Sequence, residues 1–465
     1  MRRWVAIAAV IGLAACAGPR PQIPPGAAVT PPDSWRTEFG GQTGAASASW
    51  WQSFGDPVLA KVVETALANN TDIAIAAERV AEARAQFHFA RAQQWPLLSG
   101  GAEGARSRSV NPAFGIPELQ NAGEAGLAVS FDLDLFGQLS EASEARRAQL
   151  LSSEAARDNV QLAVAASAAS GYLTLRALDA RLDVLRRTLA ERAESLRVIG
   201  RRKTAGYTSD LDLAQAEADY RSAEQQIPVA ELAIARQEDA LSVLLGENPR
   251  QIARGLELAH VTIPSVPATV PAALLRRRPD IMAAEEQLVA SDHALDSARA
   301  AFMPKISLSA EGGIVGSTLF PSPVNVFSAG GSILEPILDF GRLQAQQDAA
   351  AAQRNQAAFA YRKTALTAFR EVEDGLAAVR RLNEQELSLV SQRDAVARAL
   401  TLATNRYRSG YSPYLDQLDA ERALLSTELA LVQARADRLN AAVALYQALG
   451  GGWDATPSLA DTNVQ

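Results

Sequence analysis

The chain contains one cysteine, and its surroundings define the chemistry open to it. Cys16 closes the run Leu13-Ala14-Ala15-Cys16, behind Arg2, Arg3 and the apolar stretch WVAIAAVIGLA. That stretch is too short to span a bilayer unaided. Its charged, apolar and small-residue order predicts a cleaved signal over 1–15. A lone thiol at that point suits a diacylglyceryl thioether, with the freed amine taking a further acyl chain. Several chains anchor a protein stably where one is marginal. No intrachain disulfide is possible. Elsewhere the chemistry is sparse. His88, His260 and His293 lie far apart, and there is no HExxH, GxSxG, Walker or GxGxxG pattern. No catalytic residue, metal site or cofactor is expected, and the chain does not read as an enzyme. A net charge of −7 gives no hint of nucleic-acid binding.

The remaining candidates are acids in two similar stretches. AGYTSDLDLAQAE carries Asp210 and Asp212, and SGYSPYLDQLDAE carries Asp416 and Asp419. In a symmetric assembly each acid repeats around one axis, and such rings select cations. Acids near a helix N-terminus also simply favour its dipole. Ser412 before Pro413 reads as an N-cap with proline at the first helical position.

Those stretches belong to a tandem duplication. Gly206 and Gly410 stand 204 residues apart, as do Gly137 and Gly341, Gly171 and Gly375, and Gly246 and Gly450. Each half opens with a helix, 71–94 or 280–303, closed by a proline. Two strand-like stretches follow. AGLAVSFDLDL sets Ala125, Leu127, Val129, Phe131 and Leu133 on one face, opposite Ser130, Asp132 and Asp134. ISLSAEGGIVG sets Ile306, Leu308, Ala310 and Ile314 opposite Ser307, Ser309 and Glu311. The period then changes to that of a coiled-coil seam, carried by Leu175, Leu178, Leu182, Leu185 and Leu189. Helices over 138–203 and 342–407 would each run roughly 99 Å at about 1.5 Å per residue. Single helices over 211–246 and 415–450 are expected beyond the Gly-containing turns. Arg276-Arg277-Arg278 reads as a solvated run or a link, and Pro19–Asp33 as an extended tether.

Four strands cannot close a barrel, and lipid tolerates no open sheet edge. Copies must therefore assemble, two chains giving eight strands and three giving twelve. A soluble sandwich fed by long helices is the alternative.

Here the chain resembles the TolC/OprM family of outer-membrane efflux channels, on its lipoprotein side. The resemblance rests on WWQSFGDPVL (50–59), LLRRRPDIMAAE (274–285), ARAAFMPKISLSA (298–310), DFGR (339–342) and YRSGYSPYLDQLDAERALL (407–425). It implies a mainly α fold with membrane β: a tandem-repeat protomer giving four strands to a trimeric twelve-stranded barrel and long helices to a twelve-helix periplasmic barrel. It implies a homotrimer in outer-membrane lipid, lipidated at Cys16, working with a periplasmic membrane-fusion adaptor and an inner-membrane efflux transporter. Ala17, rather than Asp, agrees with outer-membrane sorting. It also implies a periplasmic gate at Asp212, Tyr407, Asp416 and Asp419. Ser412 stands where TolC itself has a gate arginine, which argues against that latch. The expected order is signal 1–15, tether and belt 16–49, repeats 50–255 and 256–452, and tail 453–465. Alternative roles are a type I protein or oligosaccharide exporter, and a lipid-anchored coiled-coil scaffold without a pore.

Overall fold

A computed structural model describes residues 19–37, 47–110, 113, 115, 117–265, 271–318 and 321–453. The expected signal, Cys16 and the tail beyond Trp453 lie outside the described residues. The chain divides into two compact units. One comprises Met1–Val29, Arg79–Glu154 and Ala283–Lys363, and the other Thr30–Glu78, Ala155–Met282 and Thr364–Gln465.

The first unit holds one antiparallel sheet in the order β1 (Leu97–Val110), β2 (Pro117–Leu133), β3 (Lys305–Ser317), β4 (Val324–Leu334). Its register joins the two repeats. Leu133 pairs with Ile306, Phe131 with Leu308 and Ala125 with Ile314, so the alternating apolar positions share one face. Along that face Leu98, Leu127, Leu308, Ile314, Phe327 and Ile333 are exposed. On the other face Glu103 opposes Glu124, which repels unless water solvates both. Near the junction with the helices, Lys305 pairs with Asp132 at 2.9 Å and Ser307 donates to the same carboxylate. Glycine allows the central strands to approach closely. A Cβ on Gly313 would meet the Ala125 carbonyl oxygen at 2.4 Å.

Most expected helices are present, together with two, over 57–69 and 271–274, that were not anticipated. They are α1 (Pro57–Asn69), α2 (Thr71–Ala92), α3 (Gln138–Thr204), α4 (Asp210–Glu224), α5 (Gln226–Leu244), α6 (Pro271–Leu274), α7 (Pro279–Ala300), α8 (Arg342–Arg408) and α9 (Tyr414–Ala448). Both α3 and α8 have 67 residues. Carboxylates start them: Asp134 accepts from Leu139 N and Ser140 N, and Asp339 from Gly341 N and Leu343 N. One expectation fails. The 36-residue helix over 211–246 is two helices, because Pro228 has no N–H to give the Glu224 carbonyl and its ring crowds that turn. The second repeat has no proline there, and α9 runs unbroken for 35 residues.

In the second unit the resemblance motifs form the packing. Trp50 and Phe54 are buried, and Trp50 stacks on Tyr446 with centroids 5.3 Å apart. Asp56 caps α1 through Val58 N and Leu59 N; its carboxylate also takes the Tyr172 hydroxyl and Leu256 N. The basic run divides. Arg276 is exposed, whereas Arg278 is buried and joins Asp280, Glu371 and the Ala448 carbonyl. The expected tether is not free either: Arg20, Pro21, Gly26 and Arg36 all bond to helices.

Candidate functional site at the helical hairpin tips

The two hairpin tips, both in the second unit, turn in the same way. After α3 the backbone N–H groups of Gly206 and Tyr207 return to Lys203 O and Arg202 O. After α8 those of Gly410 and Tyr411 return to Tyr407 O and Arg406 O. This double return needs a left-handed residue, and both glycines have φ 78°. Each turn leaves its next tyrosine in solvent, Tyr207 at 82% and Tyr411 at 80% exposure.

The expected gate residues divide by environment. Asp212 sits in a capping box: its backbone N–H donates to Ser209 Oγ, and its carboxylate accepts from Ser209 N at 3.2 Å and Thr208 Oγ1 at 2.8 Å. Partial burial pushes this carboxyl up, but the hydrogen bonds from Thr208 and Ser209 outweigh it and hold the group below its usual range. Asp210 pairs with Lys203 at 2.7 Å. Asp416 and Asp419 are exposed on the first turns of α9 and have no hydrogen bond or ion pair among the described residues. Tyr407 packs against Tyr414, with ring centroids 5.5 Å apart, and carries the Arg202 guanidinium over its face at 5.0 Å. Arg202 also donates to the Arg408 carbonyl, so one side chain of the first hairpin holds two residues of the second. Beneath lies a small core of Ile199, Ala216, Tyr414 and Leu418.

The expected N-cap at Ser412 is absent. Pro413 is the N-cap residue, with no side-chain cap, and the buried Ser412 Oγ has no hydrogen-bond partner among the described residues. Proline's fixed φ suits either the cap or the first helical position, and here α9 begins one residue later, at Tyr414.

Sequence reasoning missed the ion cluster behind the tips. Arg192 of α3 and Asp219 of α4 pair at 2.8 Å with side chains only 6% and 4% exposed. Arg192 also donates to the Asp219 carbonyl, and Arg422 of α9 reaches the same carboxylate at 3.1 Å. Glu421 lies alongside, accepting from Gln417 at 2.7 Å, while its second oxygen is buried without a hydrogen-bond partner among the described residues. Burial pushes its carboxyl above the usual range; Asp219 and Glu191 push the same way, against Gln417 and Arg192. Nothing in the spacing announced this cluster, because 204 residues after Arg192 and Asp219 stand Val396 and Ala423. The arrangement fastens the two hairpins together through one shared buried carboxylate. Among the described residues no group of acids, histidines or cysteines is placed to hold a metal ion.

The family model of the outer membrane efflux protein matches residues 62–247 and again 270–451, one match per repeat. The solvent efflux pump outer membrane protein SrpC of Pseudomonas putida is 38% identical over 408 residues, 86% of each chain. The open-state MtrE outer membrane channel of Neisseria gonorrhoeae superposes with a TM-score of 0.80 at 30% identity, covering 93% of this chain and 98% of that one. The Campylobacter jejuni CmeC outer membrane channel shares the fold, with a TM-score of 0.85 at 24% identity over 94% and 95% of the chains. The mainly helical protomer with its four-stranded membrane sheet is thus the fold of an outer-membrane channel subunit. With one family match in each half, the chain belongs to the outer membrane efflux protein family.

Proposed function

We propose that the chain is the outer-membrane channel subunit of a tripartite efflux pump, a passive exit duct for small toxic compounds. One observation carries the reading. The sheet presents a continuous exposed apolar face and an acidic opposite face, and its two outer strands, β1 and β4, have no further strand partner among the described residues. In lipid such edges must close on other strands, and in water such an apolar face would aggregate. Three copies supply twelve strands, with the apolar face toward acyl chains and Glu103, Glu124 and Glu311 toward a water-filled lumen. The helices then continue the lumen as a tunnel whose tips meet a periplasmic adaptor and an inner-membrane transporter. The exposed Tyr207 and Tyr411 suit that docking, since aromatic side chains dominate interface energetics. Asp416, Asp419 and Tyr407 form the gate lining; Asp212 shapes the first turn, and the Arg192–Asp219–Arg422 cluster holds the hairpins closed. Residues 16–49 serve as a lipid-anchored strap, with repeats over 50–255 and 256–452.

The test is reconstitution of the purified protein. It should run as a heat-modifiable, sodium-dodecyl-sulfate-resistant trimer and conduct ions in planar bilayers. Deleting the gene should sensitise cells to solvents or antibiotics, in keeping with its similarity to SrpC, a solvent efflux pump outer membrane protein. A non-conducting monomer would sink the duct in favour of a scaffold. Conductance with unchanged drug tolerance and lost secretion of a polypeptide or glycan would move it to the export class.

A further inference from the structure

Residues 20–27 are bolted to the first unit. The Arg20 guanidinium donates to Asp296 at 2.8 and 2.9 Å and to Asp292 at 2.7 Å, two acids one turn apart on α7. Arg354 of α8, fully buried, donates to Pro21 O at 2.7 Å, and its guanidinium lies 3.8 Å from Asp292. Arg362 donates to Gly26 O, and Ala27 is buried. A lone exposed ion pair is worth little. A planar fork shared by two carboxylates, backed by a buried arginine, fixes both direction and register.

The duplication supplies one such seat, not two. The helices α2 and α7 both have 22 residues and begin 208 apart; Asp292 and Asp296 therefore correspond to Arg84 and His88. At the 204 offset Arg354 and Arg362 become Leu150 and Asp158. The first repeat would repel Arg20 and offers no donor for the Pro21 and Gly26 carbonyls.

We propose that Arg20 is a positioning residue that turns the strap into a mount of fixed length, setting the depth at which an acylated Cys16 enters the bilayer. This rests on the reading of Cys16 as lipidated. The two positions are four residue steps apart, a reach of at most about 14 Å. From Asp296, α7 continues four residues, about 6 Å, to its end at Ala300, and β3 opens at Lys305. The acyl chains are therefore confined to the level of the strand–helix junction, where a free tether would let them wander.

The experiment uses the full acylated protein in vesicles of phosphatidylethanolamine and phosphatidylglycerol. A nitroxide on Gln22→Cys reports motion by line shape and depth by collision with oxygen against a nickel chelate; Gln22 is exposed and accepts a label. Mass spectrometry of the N-terminal peptide reports acylation separately. The expected result is an immobilised label at one depth. In Arg20→Ala and in Asp292→Asn with Asp296→Asn, its mobility should rise severalfold and its depth spread, with detergent-resistant oligomers unchanged. Arg20→Lys should restore the depth in part. An acylated protein whose label stays immobile at the same depth in Arg20→Ala overturns the clamp. An unmodified Cys16 overturns the anchor reading, whatever the label does.

Discussion

Glu421 carries an acid that burial has raised, in a cluster whose other carboxylate, Asp219, is held by two arginines. An acid raised by folding stabilises the fold below its unfolded value, near 4.5, and that stabilisation is lost as pH rises through the higher folded value. At neutral pH Glu421 therefore opposes folding, and Glu421→Gln should raise the thermal midpoint at pH 7, with the gain shrinking toward pH 4; an equal gain at both would exclude titration as its source. Asp416 and Asp419 make the opposite case, since no hydrogen bond or ion pair engages them among the described residues. Asp416→Ala with Asp419→Ala should raise single-channel conductance and lower cation preference while leaving the melting temperature unchanged; unchanged conductance would leave them as dipole partners. Asp212→Ala should instead cost about 1 kcal/mol of stability through the lost cap. The Ser209–Asp212 spacing carries a capping box that went unread, since the acids there were expected only to line a gate or favour the helix dipole. The Arg192–Asp219–Arg422 cluster was not legible, because its members come together only when three helices pack.

At the scale of elements, the duplication was readable to within a few residues because glycines punctuate it. Gly246 and Gly450 end equivalent helices with φ 71° and 88°. A Cβ on Gly246 would meet the Asn69 carbonyl oxygen at 2.3 Å, and one on Gly450 the Arg277 carbonyl oxygen at 1.8 Å. Gly450→Ala should destabilise by about 3 kcal/mol, read from denaturant midpoints, because strain and collision add. Gly410→Ala has the strain without the collision and should cost less. The break at Pro228 was present in the sequence, but a long apolar periodicity on both sides concealed it. The repeats also differ at the strand–helix junction. Asp134-Leu135-Phe136-Gly137 has one left-handed residue, whereas Asp339-Phe340-Gly341 is a residue shorter and makes Phe340 left-handed as well, at φ 55°. A non-glycine residue there costs roughly 1 to 2 kcal/mol. The aligned glycines hid that difference.

For the whole molecule, strand count and an exposed apolar face argue for assembly; the number three came from resemblance, because four strands multiply equally well to eight. The contacts that hold the strap were not legible, because proline-rich composition says nothing about which distant carboxylates an arginine will find. The tips carry a prediction at this scale. Tyr207→Ala with Tyr411→Ala should leave the channel folded and conducting yet weaken its capture by a purified adaptor at least tenfold; unchanged capture would place the docking surface elsewhere. The two tips are not copies in detail, however. The first carries the capping box and the Lys203–Asp210 pair, while the second begins with a bare proline cap and aspartates without a hydrogen bond or ion pair among the described residues. In the proposed trimer these two kinds of tip would alternate around the axis, so identical arms of any partner docking there would meet two chemistries in turn.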